Sequence, residues 1–213
     1  MTLSAPQNLD QALKRLPLIA ILRHLKLSQA AEVGRILVDS GFCCIETPLS
    51  DDHALSCISA LRESCGDRAL IGAGTVLNIG QAEAAAGAGA GFMVMPHTSP
   101  SLIREIGSMG LETVPGFSTV SEAFSAIDAG ANALKLFPAE GVPPNVLVAM
   151  KAVLPPHMPV LPVGSIQVSN MAAYYKAGAR GFGLGGSLFK PHFTLKEIKE
   201  RAVQLVGAWR AFT

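Results

Sequence analysis

The sequence predicts an α/β fold, a (β/α)₈ TIM barrel with a leading N-terminal helix, and three observations carry that expectation. Short apolar runs recur with helix-patterned stretches between them, the pattern of repeated βα units around a parallel sheet. Eight such runs can be counted in 213 residues, near the low end of the size of such barrels. No long linker or composition shift divides the chain, so residues 1–213 are expected to form a single domain. A doubly wound open sheet is the competing architecture.

In chain order, a helix is expected around Leu9 to Arg15. The strand candidates are Pro17 to Arg23, Cys43 to Leu49, Leu70 to Val76 and Phe92 to Pro96, then Glu112 to Phe117, Ala133 to Pro138, Pro159 to Ser165 and Gly181 to Gly186. Helix starts are marked by Ser28 ahead of Gln29-Ala-Ala-Glu32 and by Thr119 ahead of Ser121-Glu-Ala-Phe124. Gly41, Gly130 and Gly178 each close a helix just before the next strand. The alanine- and glycine-rich stretch from Ala84 to Met95 is too short to span a membrane and reads as a helix end feeding a strand.

Composition narrows the function. With 49% hydrophobic and 15% charged residues the chain can bury a large core. Seventeen basic against sixteen acidic residues argue against broad binding to nucleic acid or anionic membranes, so any anion site must be local. Cys43, Cys44, Cys57 and Cys65 contain no Cys-x-x-Cys motif and read as core or surface thiols in a reducing compartment. The segment Met1 to Asp10 lacks the basic start and apolar stretch of a signal peptide, and no later run spans a membrane, so a cytoplasmic protein is expected. His24, His53, His97, His157 and His192 are scattered singly, without metal-ligand spacing; no metal and no cofactor are expected. His24 and His97 follow strand ends, where either could touch a substrate.

Lys135 stands alone in the apolar run Ala133-Leu-Lys-Leu-Phe-Pro138. In a strand, Ala133, Lys135 and Phe137 point one way and Leu134 and Leu136 the other. Burial disfavours the ammonium, and a neutral amine in a dry pocket is a nucleophile toward carbonyls. The other reading is a lysine whose stem crosses apolar surface while its head reaches water or a carboxylate. In a barrel, catalytic residues collect at the carboxyl ends of the strands. Arg23 ends the first run, Glu46 lies late in the second and Thr75 closes Gly72-Ala-Gly-Thr75 in the third, so these three and Lys135 converge on one rim. Glu46 could equally form a chemically silent buried ion pair with Lys135.

A second cluster lies at the ends of the seventh and eighth runs: Gly164-Ser165 and Gly185-Gly186-Ser187. Glycines let the backbone approach a ligand closely, and bare N–H groups near a helix start bind phosphate without net positive charge. Tight packing of two glycine-rich turns is the alternative.

These residues resemble a known family, the pyruvate-forming class I aldolases that split 2-keto-3-deoxy-6-phospho sugar acids. The resemblance rests on Leu18-Ile-Ala-Ile-Leu-Arg23, Ile45-Glu-Thr-Pro-Leu49, Ile71-Gly-Ala-Gly-Thr-Val76, Val114-Pro-Gly-Phe117, Ala133-Leu-Lys-Leu-Phe-Pro138 and Gly183-Leu-Gly-Gly-Ser187, and covers nearly the whole chain. It implies that Lys135 is the Schiff-base lysine and Glu46 the general acid/base. It implies that Arg23 and Thr75 contact the pyruvyl carboxylate, that Pro96, Pro115, Phe137 and Val163 line the substrate pocket, and that Gly164, Ser165, Gly185, Gly186 and Ser187 cradle the phosphate. It further implies a metal-independent homotrimer whose partner is a small phosphorylated 2-keto-3-deoxy sugar acid.

The departures favour the galactonate branch. Ser50 stands where phosphogluconate-type enzymes carry arginine, and Pro162-Val-Gly-Ser165 where they carry Pro-Thr-Gly-Gly. Ser165 replaces a glycine common to both branches. The two substrates differ at the C4 hydroxyl; a threonine at position 163 could hydrogen-bond one epimer, which valine cannot. The leading expectation is thus cleavage of 2-dehydro-3-deoxy-6-phosphogalactonate. The alternatives are the 6-phosphogluconate epimer, dual specificity that includes 4-hydroxy-2-oxoglutarate, a phosphosugar isomerase or epimerase using Glu46 without an imine, and a non-catalytic phosphosugar-binding protein.

Overall fold

The protein, described from a computed structural model over residues 6–212, alternates strands and helices from end to end. Helix α1 (Leu9–Arg15) leads into β1 (Leu18–Ile21), α2 (Leu27–Asp39), β2 (Cys44–Pro48), α3 (Ala54–Cys65), β3 (Leu70–Gly74), α4 (Ile79–Gly87), β4 (Phe92–Val94) and α5 (Pro100–Ser108). The second half runs β5 (Glu112–Val114), β6 (Gly116–Phe117), α6 (Val120–Asp128), β7 (Leu134–Leu136), α7 (Pro144–Lys151), β8 (Val160–Pro162), α8 (Val168–Lys176), β9 (Phe182–Leu184) and α9 (Leu195–Arg210).

All strand pairs are parallel, and the curled sheet is α/β in class, as expected. It divides, however, into two sheets instead of one continuous eight-stranded ring: β5-β4-β3-β2-β1-β9 and β6-β7-β8. The reason lies in Pro115, which has no N–H to give to a ladder. The run Glu112 to Phe117 breaks there, β5 pairing with β4 and β6 with β7. At the other junction the ladder shrinks to a single bridge, Val163 to Gly183.

Side-chain alternation sorts the core into two clusters. Leu18, Ala20, Ile45, Ile71, Met93, Leu134, Leu136, Val160 and Phe182 face the helices and pack on Val33, Leu37, Ile58, Leu61 and their neighbours. Ile19, Cys44, Phe92, Val94, Val114, Ala133 and Leu161 form a separate inner cluster. Helix α1 adds Leu9 and Ala12 to that cluster. The backbone N–H of Leu9 donates to Glu112 Oε2, tying α1 to the start of β5. Phe92 fills the inner space because Gly72 beside it has no side chain; a methyl group there would overlap the ring, and overpacking of this kind costs about 1–3 kcal/mol.

The helix boundaries follow local chemistry. Asn8 and Asn78 accept from the N–H groups of Gln11 and Gln81, and Thr119 and Thr194 form capping boxes with Glu122 and Glu197. Ser28 is not a cap: α2 begins one residue earlier, behind Lys26, which makes no side-chain cap bond. Gly41, Gly130 and Gly178 lie past helix ends at φ of +106°, +97° and +105°, the left-handed region in which glycine meets no Cβ penalty. All four cysteines are buried and free, hence core thiols. Among the described residues no helix is long and apolar enough to cross a membrane.

Candidate active site

Strand β7 turns Lys135 to the inner face, between Gly116 of β6 and Leu161 of β8. Strand β2 turns Glu46 the same way, between Ile21 and Gly72. Both are buried, Lys135 at 7% and Glu46 at 2% exposure. Lys135 Nζ sits 4.4 Å from the ring centroid of Phe137. Glu46 Oε2 is buried without a hydrogen-bond partner. It occupies the space left by Gly74, where any side chain would overlap the carboxylate. Lys135 and Glu46 do not form an ion pair within 4.0 Å, so the reading of a silent contact pair loses its geometry.

Each nevertheless shifts the other. Burial pushes the Glu46 carboxyl up to about 7, against the opposing pull of the Lys135 and Arg23 charges. Burial likewise pushes the Lys135 ammonium below its ordinary range; Glu46 counters this and Arg23 adds to it. A carboxyl that exchanges its proton near neutrality and an amine biased toward its neutral form are the groups that general acid/base and nucleophilic chemistry need.

Backbone strain collects at the same ends of the strands. Among the described residues, three that are not glycine have positive φ: His24 at +59°, Thr75 at +56° and Ser165 at +47°. Each lies within three residues of the end of β1, β3 or β8. For a β-branched residue such as Thr75 this conformation is costly and persists only where the surroundings impose it, a pattern that clusters at functional sites. His24 is held by Asp51, whose Oδ2 accepts from the His24 backbone N–H and whose Oδ1 lies 2.6 Å from Nδ1.

A cleft of about 1060 Å³ opens at these strand ends and is lined by Arg23, Phe137, Val163, Gly164, Ser165, Gly185, Gly186 and Ser187 among others. Val163 reaches across Gly183, whose missing side chain leaves room for its Cγ2. Arg23 Nη1 donates to Ser50 Oγ at 3.4 Å. Ser165 keeps the left-handed turn a glycine would favour, with its hydroxyl donating to Glu140 Oε1 at 2.6 Å and its carbonyl accepting from Asn170 Nδ2 at 2.9 Å. Among the described residues no partner is found for the backbone N–H groups of Ser165 and Ile166, nor for those of Gly186 and Ser187. The Oγ of Ser187 is buried and unpartnered too. These donors suit an anion.

The predicted site residues thus fall into three sets. Eight line the cleft. Lys135 and Glu46 lie deeper, Lys135 against the cleft-lining Phe137. Thr75, Pro96 and Pro115 sit at the same ends of the strands but do not line the cleft; Pro115 is buried, its carbonyl accepting from Lys135 N–H at 2.9 Å. His24 lines the cleft and His97 does not. Sequence reasoning missed Phe189, Lys190, Arg201 and Gln204, which also line it. On an amphipathic helix a cation such as Arg201 looks like any solvated charge, so only the return of α9 toward the strand ends could reveal it. Among the described residues no group of three or more His, Cys, Asp or Glu is placed to hold a metal ion.

Comparison with known proteins gives a consistent picture. Residues 9–206 match the family described as "Aldolase: KDPG and KHG aldolase". The chain is 40% identical over 195 residues to the "Probable 2-dehydro-3-deoxy-6-phosphogalactonate aldolase" of Rhizobium meliloti (strain 1021), covering 92% of each chain. It is 40% identical over 197 residues to the 2-dehydro-3-deoxy-6-phosphogalactonate aldolase of Escherichia coli (strain K12), covering 92% of this chain and 96% of that one. Among solved structures, one described as "Native KDPGal structure" superposes with a TM-score of 0.90 at 38% identity, covering 93% of this chain and 96% of the other. With the family matched over nearly its whole length and relatives of this identity, the chain belongs to the KDPG and KHG aldolase family.

Proposed function

We propose that the protein is a class I aldolase that cleaves 2-dehydro-3-deoxy-6-phosphogalactonate to pyruvate and glyceraldehyde 3-phosphate. The observation that carries the reading is the pair of buried groups on the inner face, Lys135 pushed toward its neutral amine and Glu46 pushed up to about 7. The neutral amine of Lys135 attacks the C2 ketone, and loss of water leaves a protonated imine, which withdraws electrons from C3. Glu46, through a water molecule, takes the proton of the C4 hydroxyl; the C3–C4 bond breaks, the aldehyde leaves, and the electron pair stays on the enamine. Protonation at C3 and hydrolysis of the imine then release pyruvate and restore Lys135. Neither a metal nor a cofactor enters the sequence of steps.

Arg23, beside Glu46 and Lys135 electrostatically, holds the pyruvyl carboxylate together with Thr75. Pro96, Pro115, Phe137 and Val163 shape the substrate pocket and keep it dry. The unpaired N–H groups of Ser165, Ile166, Gly186 and Ser187 take the phosphate, with Gly164 and Gly185 allowing close approach. Val163 presents only methyl groups toward the cleft, which supports the galactonate epimer, as do the names of the relatives in Rhizobium meliloti and Escherichia coli. In this reading the two sheets, joined through Pro115 and the Val163–Gly183 bridge, are one closed (β/α)₈ barrel domain over residues 1–213, assembled as a cytoplasmic homotrimer.

The test is kcat/KM for pyruvate release from the galactonate substrate and its gluconate epimer side by side, with borohydride trapping in the presence of pyruvate. Preference for the galactonate and a reduced pyruvyl adduct on Lys135 are expected. Preference for the gluconate would keep the chemistry and overturn the epimer assignment; an unlabelled Lys135 would sink the Schiff-base mechanism.

A further inference from the structure

The end of the cleft formed by the glycine turns carries two cations to which the chemistry above assigns no role. Lys190 lies beyond β9 and Arg201 on α9, and both line the cleft with Gly186 and Ser187. They share an anchor: the Arg201 guanidinium carbon lies 4.2 Å and Lys190 Nζ 5.7 Å from the ring centroid of the buried Phe193. Arg201 Nη1 also donates to the carbonyl of Ser187 at 3.3 Å, tying α9 to the second glycine turn. Among the described residues neither cation has a carboxylate within 4.0 Å.

The side chains lining the cleft include Arg23, Lys190 and Arg201 and no aspartate or glutamate, with Glu140 just behind the first turn, accepting from the Ser165 hydroxyl, and Glu197 close enough to Arg201 to feel its charge. In a chain of net charge +1 this lining is a local concentration of positive charge. A cleft whose lining carries an excess of one sign of charge raises the local concentration of oppositely charged ligand. Its two ends differ. Arg23 acts on Glu46 and Lys135, whereas Lys190 and Arg201 stand by the turns with unpaired N–H groups. A lysine exposed on a loop is ordinarily just solvated. Here the ring contact and the Ser187 hydrogen bond hold the pair beside an anion cradle.

We propose that Lys190 and Arg201, positioned on Phe193, bind the phosphate of the substrate and set the preference for phosphorylated over unphosphorylated 2-keto-3-deoxy acids. The proposal rests on the aldolase reading for the substrate but not for the anion. Charge-assisted contacts to phosphate are stronger than the neutral N–H contacts of the turns. Arginine gives a fork of donors, and lysine a point charge.

The experiment measures kcat/KM for the phosphorylated substrate and its unphosphorylated counterpart in wild type, Lys190→Met, Arg201→Met, Lys190→Arg and Arg201→Lys, together with calorimetric titration by inorganic phosphate. Each neutral substitution is expected to lower the phosphorylated-to-unphosphorylated ratio about tenfold, with a parallel loss of phosphate affinity, and each charge-preserving substitution to keep most of both. Lys190 is exposed, so its variants do not threaten folding. An unchanged ratio with wild-type phosphate affinity overturns the proposal, as does wild type that binds no phosphate. Were wild type to cleave neither epimer, the aldolase reading would fall, and the phosphate titrations of wild type and variants alone would decide this one.

Discussion

Lys135 was visible as an anomaly because an ammonium in a run of apolar residues violates the side-chain alternation around it. The structure bears out the facing predicted for it: Ala133 joins the inner cluster and Leu134 and Leu136 the outer one. What no local pattern contains is the proton affinity of Glu46, which depends on the space at Gly74 and on the distance to Lys135 across strands remote in sequence. That affinity makes a prediction with a definite sign. Glu46 holds its proton to about 7 in the folded protein against 4.5 ordinarily. The ionisation-linked cost of its burial is therefore absent below about pH 4.5, and stability is lost as pH rises from there through 7. Glu46→Gln removes that dependence, so its stability relative to wild type should rise between pH 5 and pH 8 by on the order of 3 kcal/mol. Urea denaturation at both pH values measures it, and a pH-independent offset would refute it. The same proton should appear as an acid limb near pH 7 in kcat/KM.

At the scale of elements, start and stop signals were legible where they act through neighbours in sequence. Thr119 and Glu122 form the capping box their spacing predicts, and the glycines past α2, α6 and α8 take the left-handed conformation. Ser28 misled because serine is a common cap, yet α2 starts at Leu27. Thr119→Ala should therefore lower unfolding free energy by about 1 kcal/mol, while Ser28→Ala should stay within about 0.5 kcal/mol of wild type. Equal effects from the two in denaturant melts would contradict the assignment of caps. The break of the fifth run at Pro115 was likewise implicit in the sequence, since proline cannot donate to a ladder. Which strands its two halves would pair with was not.

At the scale of the whole molecule, the family resemblance implies a trimer, for which light scattering should give about 67 kDa, three times the 22.2 kDa of one chain. A mass of one or two chains would overturn that expectation. The recurrence of βα units, the opposite facing of Lys135 and its leucine neighbours and the glycine turns were determined by the sequence alone, because strand alternation and turn chemistry act over a few residues. Tertiary structure decided the rest. It closed the bottom of the inner cluster with α1, left Glu46 without a contact partner beside Gly74, and brought Lys190 and Arg201 from the C-terminal segment to the cleft. Burial and electrostatic coupling depend on which segments meet in space, and no window of sequence spans the separation from Glu46 to Lys135 or from Arg23 to Arg201.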